Sequence, residues 1–169
     1  MYMARELDAG DVILQKRTPI APDENAQALT ARLAKLGAEA LSEAVAALKA
    51  GTANRIPQDE RYQTYAPMLS KEMSPIDWSR SAWSIDCQVR GLIPWPCAAA
   101  ELAGRRVKVF GTAPGGETRQ APGTILAAGK SGIEVACGDQ KSLLITELQP
   151  EGSKRMTAEA YLAGHPIKV

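Results

Sequence analysis

The chain has 169 residues, 45% of them apolar and 23% charged, with a formal net charge of +1; these are the proportions of one ordinary globular domain or two small ones. No apolar run approaches the ~18 residues of a membrane-spanning helix, and the N-terminus lacks the basic-then-apolar order of a signal peptide. Cys87, Cys97 and Cys137 are widely spaced and His165 is the single histidine, which argues against a disulfide framework and a metal site and suits a reducing cytoplasm.

Residues 1–20 read as strand, tight turn, strand. Glu6-Leu7-Asp8-Ala9-Gly10-Asp11 separates the apolar Met1-Tyr2-Met3 from Val12-Ile13-Leu14. Gly10 permits the turn and the aspartates can bond nearby amides. Taken alone, Asp8 and Asp11 are ordinary turn residues. Residues 23–50 read as helix, with Asp23 as N-cap, Lys49 in the last turn and Gly51 as stop. Leu29, Leu33, Leu36, Leu41, Val45 and Leu48 form one stripe, with a possible bend at Gly37. The alanine-rich flanks suggest close packing against a sheet. Pro57, Pro67 and Pro75 punctuate a polar stretch over 52–76 that reads as a linker, pinned by Tyr62 and Tyr65.

The charge shifts at this point. Basic and acidic residues number 9 and 10 before Ile76, and 11 and 9 after it. The excess permits a polyanionic partner without demanding one. Ser79 is expected to cap a helix to about Arg90 with Ala82, Ile85 and Val89 inward, and Gly91 to end it. Pro94 and Pro96 force an extended passage around Trp95, which is assigned to packing. Short strands follow: 98–102, 106–111, 123–128, 133–137 and 142–148, joined by glycine turns. They indicate a small antiparallel barrel. Thr157 is expected to cap a closing helix at about 158–163.

Three signals are weak. Gly129-Lys130-Ser131 has the wrong spacing for a phosphate-binding loop and reads as a hairpin turn. His165 reads as an exposed tail residue. Arg105, Arg106, Lys108, Arg119, Lys130, Lys141, Lys154 and Arg155 are either a solvated surface or a nucleic-acid footprint. In the second case phosphate attraction should dominate, because aromatics suited to base stacking are scarce.

Taken together, Met3–Ile13, Tyr65-Ala66-Pro67-Met68-Leu69-Ser70-Lys71-Glu72, Ile76-Asp77-Trp78, Pro94-Trp95-Pro96, Ala121–Ile125, and Leu148-Gln149-Pro150-Glu151-Gly152 with Lys154-Arg155-Met156 resemble the C-terminal half of bacterial methionyl-tRNA formyltransferases. The resemblance implies an α+β chain: the end of a formyltransferase catalytic domain at 1–51, a linker at 52–76, and an open, OB-like antiparallel β-barrel at 77–169. It implies 10-formyltetrahydrofolate as formyl donor and methionyl-initiator-tRNA as acceptor. By the same resemblance Asp8 is the catalytic aspartate, and Leu7, Ala9, Gly10 and Asp11 are its donor-side neighbours. Lys71 matches a linker lysine suited to phosphate contact, and with Arg105, Arg106, Lys108, Lys154 and Arg155 of the basic barrel it is expected to bind tRNA. No metal and no membrane are expected.

The departure from the family pattern is the Asn-x-His pair: Asn25 and Asn54 have no His two residues on. The first half of a family member is therefore expected upstream of Met1. This chain by itself is expected to lack transfer activity, to bind no folate, and to hold tRNA weakly. Residues 1–50 are expected to be poorly packed, since their apolar stripe has no sheet to cover. Another folate-dependent formyltransferase, or a free-standing RNA-binding barrel, is the alternative.

Overall fold

The computed structural model describes the whole chain except Gln63 and the side chain of Glu60. It divides into two compact units, Met1–Met68 and Leu69–Val169. The division falls inside the stretch expected as a linker.

In the first unit the predicted strand pair at 1–20 does not form. A single amide, Tyr2 N–H to the Asp11 carbonyl at 2.9 Å, links its two arms. Val12 instead exchanges backbone hydrogen bonds with Ile56 as an isolated bridge, at 2.8 and 3.1 Å. The physical reason is that two strands with no third layer cannot offset their ordering entropy. Helix α1 spans Ala26–Ala50 without interruption at Gly37, and Gly51 caps it with φ 69°. Its N-cap is Asn25, whose Oδ1 accepts from the Ala28 amide, and not Asp23. The preceding segment is wound back onto the first turns: Arg32 donates to Thr18, the Pro19 carbonyl and Glu24. Helix geometry therefore starts only after Glu24. No residue of α1 is buried, and Leu33, Leu41, Val45 and Leu48 are exposed. The expected packing of this helix on a sheet is absent from the described residues.

The stretch between has two short 3-10 turns, Glu60–Tyr62 and Lys71–Met73. Tyr62 and Tyr65 are 81% and 90% exposed and pin nothing.

The second unit contains the main core. Ser74 and Ile76 pair with Ala99 of the first strand, so the end of the predicted linker is stitched to the sheet. Helix α2 covers Ala82–Gly91, capped by Ser81, whose Oγ accepts from the Ser84 amide. Ser79 is not the cap because its hydroxyl and amide are both held by Asp77. Ala82, Ile85 and Val89 face inward as expected.

The strands are β1 (Ala98–Leu102), β2 (Arg105–Glu117), β3 (Ile125–Gly129), β4 (Gly132–Ala136), β5 (Lys141–Pro150) and β6 (Met156–Thr157), followed by α3 (Ala158–Gly164). They form one antiparallel sheet in the order β1-β2-β5-β4-β3, with β6 on β5. β1 and β3 remain edges, so the barrel is open. Register shifts after Val109, Gly111 and Pro114 curl β2 around the core, as bulges do. Alternation along β2 and β4 sends Val107, Val109, Ile133 and Val135 into one cluster with Ile145 and Leu148 of β5, which α3 closes with Ala158 and Tyr161. Thr157 caps α3 as expected, accepting from the Ala160 amide.

Two sequence readings separate here. Gly129-Lys130-Ser131 is the tight turn of the β3–β4 hairpin, where Gly129 pairs with Gly132. His165 is not a loose tail residue: its ring stacks on Tyr161 at 4.7 Å and its amide closes α3 on the Tyr161 carbonyl.

Candidate functional site

Two places carry the residues singled out by the sequence, one in each unit. In the first unit, the 7–11 loop is held from outside by the segment that follows α1. Gln58 Nε2 donates to the carbonyls of Asp8 (2.7 Å) and Gly10 (2.8 Å). Arg55 pairs with the Asp11 carboxylate at 3.0 Å and lies over the Tyr2 ring at 4.0 Å. Asp8 adopts φ 57°, a left-handed conformation rare for a residue with a side chain. The Gln58 clamp on its carbonyl helps maintain that geometry. A methyl at buried Gly10 would meet the Tyr2 carbonyl oxygen at 1.8 Å, so only glycine lets the two arms approach.

Asp8 is exposed and free of any ion pair among the described residues. Leu7 is 92% exposed, Ala9 is exposed, and the Gly10 carbonyl and Asp11 carboxylate are already engaged. These residues make an open edge, and by themselves they do not enclose a folate. Arg55 and Gln58 were not legible in the sequence: 44 to 50 positions separate them from their partners, and nothing local marks them.

In the second unit, a cleft of about 410 Å³ is lined by Lys71, Ser74, Trp95, Arg106, Lys108, Glu151 and their neighbours. Its cations and its aromatic ring arrive by three routes. Arg106 and Lys108 alternate with the buried Val107 and Val109, so the two-residue period that builds the core pushes both charges to the outer face. Lys71 comes from the short turn preceding the segment paired with β1. Trp95 is flanked by Pro94 and Pro96 and stays 51% exposed on the rim. The expectation that Trp95 packs the interior is therefore corrected. Its proline neighbours restrict the chain around it, and the ring stays outside the two core clusters.

Arg106 and Lys108 belong to none of the ion pairs among the described residues, and Lys71 acts on Glu72 only through space. Three cations in no ion pair among the described residues, beside an exposed indole, favour an anion with an apolar or aromatic part. Cys97, in the lining of the cleft, is not an activated nucleophile. Burial raises the Cys97 thiol, and the attraction of Lys108 and Arg155 offsets this only in part. Its S–H is spent on the Pro94 carbonyl.

The other basic residues lie elsewhere. Arg105 opens β2 opposite Leu102, next to the β1–β2 turn; it does not line the cleft, nor does Lys154 in the loop after β5. Arg155 is engaged: its guanidinium grips both carboxylate oxygens of Glu147 and covers Phe110 at 4.6 Å. The sequence signal available for the cleft was the Arg-x-Lys alternation within an otherwise apolar strand.

Residues 68–166 match the family model described as the formyl transferase C-terminal domain, and residues 1–45 match the formyl transferase model. The chain is 48% identical over 167 residues to a methionyl-tRNA formyltransferase of Trichlorobacter lovleyi, covering 99% of this chain and 52% of that protein. A methionyl-tRNA formyltransferase of Geobacter sulfurreducens is 46% identical over 168 residues, again 99% of this chain and 52% of the relative. The chain thus spans about half the length of the curated relatives it matches. Among solved structures, HypX from Aquifex aeolicus in complex with tetrahydrofolic acid superposes with a TM-score of 0.66 at 22% identity, over 94% of this chain and 28% of that one. An N-formyltransferase from Helicobacter canadensis with folinic acid and dTDP-3-aminofucose gives 0.66 at 13% identity, over 88% and 53%. These two share the fold. With a family model over most of its length and relatives near half-identical along all of it, the chain belongs to the formyl transferase family.

Proposed function

We propose that this chain supplies the second half of a methionyl-tRNA formyltransferase, and that its second unit holds the tRNA through phosphate contacts at the Lys71–Arg106–Lys108 cleft. The observation that carries the reading is the convergence on one concavity of three cations from two segments, none in an ion pair among the described residues. Arg105, Lys154 and Arg155 lie outside that cleft and serve, at most, the wider electrostatic field. The reaction moves a formyl group from 10-formyltetrahydrofolate to the amino group of methionyl-initiator-tRNA. The amine nitrogen bonds to the formyl carbon, the bond to the donor nitrogen breaks, and a proton passes from amine to leaving nitrogen. Such a step needs a neutral amine, a stabilised oxyanion and a proton carrier. Asp8 fits the supporting role in that set, aiming and charging a histidine, and this sequence has no Asn-x-His pair for it to support. Members of such a unit act together, so Asp8 alone contributes little.

The test is a salt titration of tRNA binding to the 169-residue chain. Each phosphate neutralised contributes about −0.7 to −0.9 to the slope of log K against log salt, so three cations give roughly −2 to −3. Lys108→Ala should lower that slope by about one phosphate's share. Affinity indifferent to ionic strength would overturn the phosphate reading. In parallel, the chain mixed with 10-formyltetrahydrofolate and methionyl-tRNA should yield no formylmethionyl-tRNA; clear turnover would overturn the incomplete-site reading.

A further inference from the structure

The cleft holds more than charges. A duplex would use Lys71, Arg106 and Lys108 and leave Trp95 idle, because paired bases keep their faces stacked inside the helix. We infer that the cleft takes one unpaired nucleotide, its base stacked on Trp95 and its flanking phosphates on Arg106 and Lys108. The inference rests on the tRNA reading above and deepens it.

Three observations carry it. The ring is half exposed at the rim of the same concavity as the cations, the pairing by which proteins hold single strands: a basic track with an aromatic platform. The volume of about 410 Å³ lies in the small-molecule range of roughly 300–1,000 Å³, which suits a nucleotide and is far too confined for a double helix. Arg106 and Lys108 are two residues apart on one strand face, hence about 7 Å apart along it, so they can meet consecutive phosphodiesters.

The experiment uses the whole 169-residue chain and three RNA probes of equal length: a single strand, the same strand with one abasic site walked along it, and a duplex. Binding is measured by anisotropy at several salt concentrations for the native chain and for Trp95→Ala and Trp95→Phe. The single strand should lose roughly 5- to 140-fold in affinity with Trp95→Ala, the span of base–aromatic stacking, while duplex affinity and the salt slope stay unchanged. Trp95→Phe should retain most of the affinity. One abasic position should weaken binding to the native chain by a similar factor and have no effect on Trp95→Ala. The abasic probe leaves the protein untouched, so it decides the matter even if a variant misfolds. Equal losses for single strand and duplex, or no abasic effect at any position, would overturn the stacked nucleotide and leave the phosphate reading standing. Loss of salt dependence in all three probes would instead overturn the phosphate reading itself.

Discussion

Gly138→Ala is the sharpest test of how the second unit is assembled. Gly138 lies in the β4–β5 loop, and a methyl added there would sit 1.7 Å from the Ser79 carbonyl oxygen and 2.4 Å from its carbon. Both obstacles are backbone, so no rotamer change relieves them. Restoring ordinary contact requires the loop and the segment before α2 to part by well over an ångström. That movement breaks the Gly138 amide bond to the Arg80 carbonyl (2.9 Å) and the Ala82 amide bond to Asp139 (3.2 Å). It also loosens Ala82 and Ile85 from Cys137 and Leu143, which form one buried cluster. Two hydrogen bonds at about 1 kcal/mol each, with one to two more for disturbed packing, give a loss of about 3–4 kcal/mol. For a unit of this size that corresponds to a Tm lower by roughly 12–30 °C. Gly91→Ala is the matched control: nothing lies within 4 Å of its added methyl, and a helical Gly→Ala change should be neutral or stabilise by up to ~1 kcal/mol. Thermal unfolding by circular dichroism reads both. A Gly138→Ala chain melting within about 2 °C of the native one would refute the close-approach reasoning.

Other outcomes follow from the same geometry. Thr157→Ala removes the N-cap of α3 and should cost about 1 kcal/mol in urea unfolding, with Thr157→Ser recovering most of it; equal midpoints would sink the capping assignment. Cys137, buried beneath α2, has its thiol pushed up to about 11 by desolvation and then by Asp139, so alkylation at pH 8 followed by peptide mapping should find Cys137 far slower than the less buried Cys87. Its folded pKa exceeds the ordinary 9.0, so its contribution to stability is whole below pH 9 and fades between there and about 11; stability constant over that window would contradict the assignment. Gln58→Ala deletes both clamps on the 7–11 loop and should raise amide exchange at Tyr2 and Val12 several-fold while leaving β5 unchanged; unaltered exchange at those amides would show that the clamp holds nothing.

The contrast between the two units explains what was legible beforehand. In the second unit the Ala103-Gly104 and Lys130-Ser131 turns, the Thr157 cap and the inward face of α2 are all decided by neighbours a few residues away, and sequence reading found each of them. At 1–20 the same reading failed, because a strand exists only with a partner, and Val12 takes Ile56 where a hairpin was expected. Helix α1 formed from its local signals, yet what it packs against was never local information.

The candidate sites divide along the same line. The alternation of Arg106 and Lys108 with Val107 and Val109 already put both charges on one outward face, and the matching motifs singled out Asp8 and Lys71. That Lys71 joins those charges depends on Ser74 and Ile76 pairing with Ala99, and that Trp95 turns outward was missed altogether. The sequence by itself determined which side chains face out and how each hairpin turns, since those follow from period and local dihedral preference. Only the tertiary structure decided which of them share a cleft. Convergence of Lys71, Trp95 and β2 across tens of residues is set by strand pairing, whose energy is realised only once the core has formed.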